Sequence, residues 1–136
     1  IILDYGHLKV TLKGGMLVKE PLPRYILLGN DGSFVKYGLD VQEEALNTGH
    51  RPDRELNWGE EPEHMWGTLN TAFNGVEFRG KVKSENGNYV NYYRNINNAL
   101  RGTEELNVKP EEAKNTIRII ELAMQSHDEK RTLPFI

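Results

Sequence analysis

The Asn74-Gly75 pair constrains the fold most strongly, because it joins two segments with alternating apolar residues. Asn-Gly is the preferred pair for a type I′ turn, whose twist matches that of the antiparallel strands it connects. The two arms run over 66–73 and 76–82. The side chains predicted on one face of the hairpin are Leu69, Thr71, Phe73, Val76, Phe78 and Val82. The sequence therefore predicts a hairpin within a sheet that has one covered face.

The first 38 residues predict further antiparallel hairpins. Apolar residues alternate with Lys9 and Thr11, and short β-prone runs recur between glycine- and proline-containing turns. The Gly14-Gly15 pair predicts one turn, and segment 29–32 predicts another. The predicted strands are 8–12, 16–18, 24–28 and 33–37.

Two helices are predicted after the last hairpin. In the first, Asn88 is a candidate cap and Gly102 suits a left-handed residue after the end. Its predicted apolar stripe consists of Tyr89, Tyr92, Tyr93, Ile96, Ala99 and Leu100. Pro110 suits the first position of the second helix, and a final edge strand is predicted over 133–135. The predicted buried stripe of that helix consists of Ala113, Thr116, Ile117, Ile120, Ala123, Met124 and His127.

The order of these elements indicates the fold class. Hairpins come first and helices last, which is typical of an α+β fold and not of the alternation that builds a parallel sheet. We predict an open, mainly antiparallel β-sheet with the C-terminal helices packed on one face. At 136 residues the chain is predicted to form a single domain, 1–136. It opens with Ile1 in a predicted strand, so we expect it to be part of a longer protein.

Composition and motifs argue against several functional classes. The net charge of −3 does not suit a nucleic-acid partner, and no apolar run is long enough to span a bilayer. There is no cysteine, which is compatible with a cytoplasmic protein, and the four histidines have no metal-ligand spacing. Neither a P-loop nor a Gly-x-Gly-x-x-Gly motif is present. We therefore expect no metal, no cofactor bound by this chain, no nucleic acid and no membrane.

The irregular segment 47–64 is a candidate functional loop, because long loops inside compact domains are usually functional or disordered. Trp58 lies within it, and an indole rarely remains in solvent, so the loop is expected to dock on the rest of the chain. A short helix is predicted over 41–46, with Asp40 as its N-cap. The histidines His50 and His64 are interpreted as solvated loop residues.

Lys36 lies in a predicted strand and begins a cluster of polar residues. An amine, a phenol, a carboxylate and an amide close together can hydrogen-bond a polyhydroxylated ligand, and the tentative substrate-binding residues are Lys36, Tyr37, Asp40 and Gln42. The alternative for Lys36 is a surface lysine whose aliphatic stem covers a sheet edge. Both interpretations stay open from the sequence. The neighbouring acidic run 60–63 is interpreted as a solvated surface.

Several segments, taken in order, resemble the C-terminal domain of the glucose-fructose oxidoreductase / inositol dehydrogenase / MocA family. They are 32–43 (GSFVKYGLDVQE), 58–59 (WG), 87–93 (GNYVNYY), 99–102 (ALRG), 108–113 (VKPEEA), 117–123 (IRIIELA) and 125–126 (QS). Each segment is short, but their order and spacing are specific. The similarity covers nearly the whole chain.

The resemblance implies an NAD- or NADP-dependent oxidoreductase that acts on a hydroxyl of a sugar, inositol or related polyol. The nucleotide would be held by an N-terminal Rossmann domain that this chain does not contain, and no catalytic residue of the family maps onto this chain. The implied role is to shape the substrate pocket and to mediate assembly into a homodimer or homotetramer through the sheet face, without activity alone. The alternative is a free-standing protein-interaction domain that uses the open sheet face. A third reading is a small-molecule binding module that uses Lys36, Asp40 and the loop.

Overall fold

The computed structural model describes residues 1–135. The chain forms two compact units: Lys19–Asn97 is one, and Ile1–Val18 together with the residues from Asn98 onward is the other. The prediction of a single domain is not tested by this division. Helices and antiparallel strands make up the described chain, which confirms the α+β class and the mainly antiparallel sheet.

Strands β1 (Ile2–Asp4) and β2 (Lys9–Thr11) form an antiparallel pair. The carboxylate of Asp4 closes the connection, because it accepts hydrogen bonds from Lys9 Nζ at 2.9 Å and from the backbone N–H of Gly6 at 2.8 Å. These bonds, led by the one from Lys9, lower the pKa of the Asp4 carboxyl. The carboxylate therefore stays ionised to lower pH than an ordinary aspartate.

The predicted strand 16–18 is not formed. Met16 and Leu17 are fully exposed, and neither belongs to a strand. A short β-prone run becomes a strand only where another strand can satisfy its backbone groups. Here β2 pairs with β1, so Gly14-Gly15 does not close a hairpin.

Four strands form the larger sheet, in the order β3-β4-β5-β6, and every neighbouring pair is antiparallel. Their bounds are Tyr25–Leu28 for β3, Gly32–Lys36 for β4, Gly67–Phe73 for β5 and Val76–Val82 for β6. Asn74 and Gly75 both have positive φ, 50° and 78°, as a type I′ turn requires. The predicted hairpin and its turn are confirmed.

One face of this sheet is largely apolar and is only partly covered by the chain. Register places Leu27, Phe34 and Leu69 side by side on that face. The Phe34 ring lies over Gly67, where an added Cβ would be 2.0 Å from its Cζ. Phe73 and Val76, at the hairpin end, remain 74% and 68% exposed. Within residues 1–135 no apolar side chain is fully buried, and this face, which also carries the buried Lys36, is covered only in part.

The three α-helices are α1 (Gln42–Asn47), α2 (Tyr89–Leu100) and α3 (Pro110–Glu129), and a 3-10 turn spans Glu63–Met65. The predicted caps of α2 are confirmed: Asn88 Oδ1 accepts the N–H of Val90 at 3.0 Å, and Gly102 has a φ of 71°. The stripe of α2 is less buried than predicted, since its three tyrosines are 46–69% exposed.

Of the predicted buried stripe of α3, only Ala123 is half-buried, and the other members are exposed. Ile117 and Met124 are 57% and 66% exposed. Four half-buried residues lie on an adjacent stripe: Ile119, Leu122, Ala123 and Ser126. This stripe lines a cavity of about 450 Å³ together with Ile1, Ile2, Leu3, Thr132, Leu133 and Phe135. Leu133 and Phe135 line this cavity, and the edge strand predicted over 133–135 is not formed.

Candidate functional site

The end of β4 carries a buried lysine. Lys36 is 9% exposed, and its ammonium donates to the carboxylate of Glu61, to the carbonyl oxygen of Met65 at 2.9 Å and to Ser84 Oγ at 3.1 Å. An ammonium has three N–H donors, and these three acceptors occupy all of them. The bonds connect β4 to the loop before β5 and to the segment after β6.

The charge of Lys36 is balanced inside the protein by Glu61, which is 8% exposed. A buried charge is tolerated when it is paired and its remaining hydrogen-bonding capacity is satisfied. The loop is fixed at the same point because Trp66 Nε1 donates to the carbonyl oxygen of Glu61 at 2.9 Å. Lys36 is therefore not the surface lysine of the alternative interpretation.

Gln42, the first residue of α1, is the centre of a second buried cluster and is only 1% exposed. Its Nε2 donates to Asp40 Oδ2 at 2.7 Å. Its Oε1 accepts from Trp58 Nε1 at 2.7 Å and from the backbone N–H of Tyr89 at 2.9 Å. One side chain thus connects the β4–α1 turn, the long loop and the start of α2, and the expectation that Trp58 docks on the chain is confirmed.

Two glycines allow this close approach. A Cβ on Gly87 would lie 2.5 Å from Gln42 Nε2 and 2.7 Å from Asp40 Oδ2. Gly59, with a φ of 72°, is closer still, since a Cβ there would lie 1.9 Å from the carbonyl oxygen of Gly87. The backbone N–H of Gly87 donates to the carbonyl oxygen of Gly59 at 3.3 Å. A side chain at Gly59 would push against the Gly87 backbone, and a side chain at Gly87 would displace the ends of the Gln42 and Asp40 side chains.

The four residues singled out by the sequence fall into two groups. Lys36 and Gln42 are buried, and the ammonium of Lys36 and the amide oxygen of Gln42 have all of their bonding positions occupied within the chain. Tyr37 and Asp40 are exposed, Tyr37 to 65%. Only the exposed pair can touch a ligand directly in this conformation. The prediction that Asp40 is the N-cap of α1 is wrong, because the helix begins one residue later and its N-cap is Val41. Asp40 Oδ1 instead accepts the backbone N–H of Gln42, two residues on, at 2.8 Å.

Sequence reasoning missed Glu61, Ser84, Gly59 and Gly87. The run 60–63 was predicted to be a solvated acidic surface, and this is wrong for Glu61. The available signal was the position of Lys36 between strand residues. A lysine that is buried at such a position requires a carboxylate partner. Nothing in the sequence indicated which of the nearby acidic residues that partner would be.

The exposed histidine His50 and the acidic residues show no metal-binding geometry in the described part of the chain. His50 Nδ1 lies 2.8 Å from Glu55 Oε1, and both side chains are exposed. Residues 1–135 contain no group of three or more His, Asp or Glu side chains arranged to hold a metal ion. None of the described helices has the length and apolarity to cross a membrane.

Comparison with known proteins identifies the relatives of this chain. Residues 1–135 match the profile of the oxidoreductase family C-terminal alpha/beta domain. The scyllo-inositol 2-dehydrogenase (NADP(+)) IolW of Bacillus subtilis is 43% identical over 98% of this chain, which covers 37% of that relative. The uncharacterized oxidoreductase YdgJ of Escherichia coli is 37% identical over 97% of the chain and is likewise covered over 37% of its length.

Solved structures show the same fold. The yvaA protein of Bacillus subtilis, in its triclinic form, matches with a TM-score of 0.90 and 43% identity; the match covers 97% of this chain and 39% of that one. An oxidoreductase from Bacillus cereus matches with a TM-score of 0.81 and 32% identity, over 91% of this chain and 37% of its own. The chain thus spans little more than a third of the relatives that it matches. It belongs to the glucose-fructose oxidoreductase / inositol dehydrogenase / MocA family, and it corresponds to the C-terminal alpha/beta domain of an oxidoreductase.

Proposed function

We propose that the full-length protein is an NAD(P)-dependent dehydrogenase that oxidises a hydroxyl of a sugar, inositol or related polyol. In this proposal the chain shapes the substrate pocket, mediates subunit assembly and is inactive alone. The observation that carries it is the 43% identity, over 98% of the chain, to a protein named as an NADP-dependent scyllo-inositol 2-dehydrogenase.

The nucleotide is assigned to another part of the full-length protein. All strand pairs among residues 1–135 are antiparallel, so the described chain contains no parallel βαβ unit with a glycine-rich turn to hold a pyrophosphate. These residues therefore do not fit the nucleotide in that way, and we derive no hydride-transfer step from them. The length of the relatives, of which the chain covers 37%, supports an N-terminal Rossmann domain as the partner.

Within the pocket we assign direct contact to Tyr37 and Asp40. A phenol and a carboxylate are suitable hydrogen-bonding partners for the hydroxyl groups of a polyol, and both side chains are exposed. Lys36 and Gln42 contribute from the buried side by holding β4, α1 and the long loop together. In this proposal Tyr37 and Asp40 line the pocket, and Lys36 and Gln42 support them from behind.

Assembly into a homodimer or homotetramer is proposed to use the apolar face of the four-stranded sheet. Tyr25, Leu27, Phe73, Val76 and Phe78 are 45–74% exposed on the face that they share by register. Exposed apolar patches of this kind mark interaction surfaces. The cytoplasmic location stays a prediction from the sequence.

The test compares the isolated chain with the full-length protein. Calorimetric titration of the chain with NAD+ or NADP+ should give no binding heat, whereas the full-length protein should reduce one of the two in the presence of a polyol. Scyllo-inositol, myo-inositol and aldoses form the starting substrate panel. Nucleotide binding by the isolated chain, or a full-length protein that oxidises no member of the panel, contradicts the proposal.

A second candidate is a free-standing protein-interaction domain, which the exposed sheet face favours. Replacing Phe73 with Glu in the full-length protein separates the two. The dehydrogenase proposal predicts loss of self-assembly as measured by light scattering. If the chain is an interaction domain that binds a different protein, Phe73→Glu should leave self-assembly unchanged. Neither the variant nor the parent protein should then reduce NAD(P)+ in the presence of a polyol.

A further inference from the structure

We infer that Gln42 is a positioning residue that orients the exposed carboxylate of Asp40 toward two neighbouring hydroxyl groups of a polyol. The inference rests on the proposed function and names a specific contact within it. It concerns an amide that no solvent molecule or ligand can reach, since Gln42 is 1% exposed.

The orientation of the Gln42 amide is determined by its partners. The indole Nε1–H of Trp58 and the backbone N–H of Tyr89 are donors only, and both approach the same end of the amide. That end must be the oxygen, so the NH₂ end must point at Asp40. The assignment follows from the donors themselves and does not depend on telling oxygen from nitrogen by position.

Gln42 holds both oxygens of the Asp40 carboxylate. Its backbone N–H donates to Oδ1 at 2.8 Å, and its Nε2 donates to Oδ2 at 2.7 Å. An ionised carboxylate has about four acceptor positions, so one remains on each oxygen. Two acceptors held at a fixed separation on an exposed residue suit a pair of adjacent hydroxyl donors.

Gly87 limits the movement of the Gln42 and Asp40 side chains. The space beside the pair is so narrow that a Cβ on Gly87 would fall 2.7 Å from Asp40 Oδ2. The carboxylate is therefore bounded by the Gly87 backbone and by the Gln42 amide. A group held in one orientation loses little conformational freedom when a ligand binds, which lowers the cost of recognition.

The first variant is Gln42→Glu in the full-length enzyme. The introduced carboxylate keeps acceptors for Trp58 and Tyr89, but it places a second anionic oxygen against Asp40 Oδ2. The expected result is a KM for the polyol raised about tenfold or more, with a smaller change in kcat, because a charge-assisted bond that orients the ligand contact is lost. Glu44→Gln, an exposed carboxylate on the same helix, is the matched control and should leave KM unchanged.

A hydrogen-bond swap separates positioning from a purely structural role. In the double variant Asp40→Asn with Gln42→Glu, the introduced asparagine amide can donate to the introduced glutamate, so the denaturation midpoint should return toward that of the parent. The carboxylate at position 40 is absent, so KM should stay raised. If KM recovers together with stability, the Asp40–Gln42 pair is only structural and the inference is overturned.

Asp40→Asn alone covers the case in which Gln42→Glu does not fold. It introduces no buried charge and keeps an oxygen for the Gln42 backbone N–H, and its KM should rise. An unchanged KM in this variant refutes the ligand role of Asp40 while leaving the dehydrogenase proposal intact. A parent enzyme without polyol-dependent reduction of NAD(P)+ refutes the dehydrogenase proposal itself, and with it this inference.

Discussion

The unit formed by Lys19–Asn97 and helix α3 of the other unit differ in what they bury. In the first, the buried side chains are polar: Lys36, Gln42, Glu61 and Asn95. In α3 no side chain is buried, and apolar residues such as Ile117 and Met124 are more than half exposed. The first unit is held together by specific hydrogen bonds, whereas α3 presents apolar surface.

This difference indicates where each region obtains its stability. Hydrogen bonds in a low-dielectric interior stabilise one arrangement and strongly penalise the loss of a single partner. An exposed apolar surface contributes little until another surface covers it. Substitutions in the polar clusters should therefore affect the isolated chain, and substitutions on α3 should affect mainly the full-length protein.

The largest effect is expected from Lys36→Met, which leaves Glu61 charged and buried without its partner. Removing one member of a buried ion pair costs about 3–5 kcal/mol. Urea denaturation of the isolated chain measures this loss. The double variant Lys36→Met with Glu61→Leu should recover a large part of it, because no unpaired charge remains.

The exposed pair Lys83–Glu60 is the matched control, with side chains 52% and 34% exposed. Lys83→Met should cost less than about 1 kcal/mol, as is usual for surface ion pairs. Equal losses for Lys36→Met and Lys83→Met would show that burial of the ion pair does not determine the stability of this unit.

The next largest effect is expected from Gly59→Ala. Its Cβ would meet the carbonyl oxygen of Gly87 at 1.9 Å, and its φ of 72° already disfavours a side chain by about 1–2 kcal/mol. Displacing the Gly87 segment adds about 1–3 kcal/mol, in line with overpacked interiors. The control is Gly49→Ala, where φ is 90° but nothing lies within 4 Å of the added Cβ. Identical denaturation midpoints for the two variants would contradict the role assigned to the close contact.

The smallest effect in the isolated chain is expected from Ile117→Gln on α3. Because Ile117 is 57% exposed, the free energy of unfolding should change by no more than about 0.5 kcal/mol. In the full-length protein the same change should cost about 1.5–3 kcal/mol if another domain covers this face. Glu121→Gln, at a nearby exposed residue, removes only a surface ion pair with Arg118 and should cost less than about 0.5 kcal/mol in either form. If Ile117→Gln lowered the free energy of unfolding of the isolated chain but not that of the full-length protein, α3 would not be a surface that another part of the protein covers.

The elements with local signals were predictable. Asn74-Gly75 fixed the hairpin, Asn88 and Gly102 marked the ends of α2, and Pro110 marked the start of α3. These residues act through backbone angles and hydrogen bonds within a few positions, which is the range that a sequence pattern reports. The strand predicted over 16–18 failed because strand formation depends on a distant partner.

The candidate site was only partly predictable. Lys36, Asp40 and Gln42 were recognised as a polar group, and Tyr37 and Asp40 are the exposed members of the set. Their partners Glu61 and Tyr89 lie 25 and 47 residues away along the chain from Lys36 and Gln42. Periodicity and capping rules carry no information about contacts of that separation.

By itself, the sequence determined the α+β class, the type I′ hairpin, the ends of α2, the start of α3 and the family, because each is expressed in local pattern or in ordered motifs. The tertiary structure decided that Lys36 is buried against Glu61, that Gln42 holds Asp40, and that Gly59 must be glycine because it lies against the Gly87 backbone. The physical reason is that burial and pairing depend on which distant segments meet. The sequence does not distinguish an exposed lysine or glutamate from a buried one.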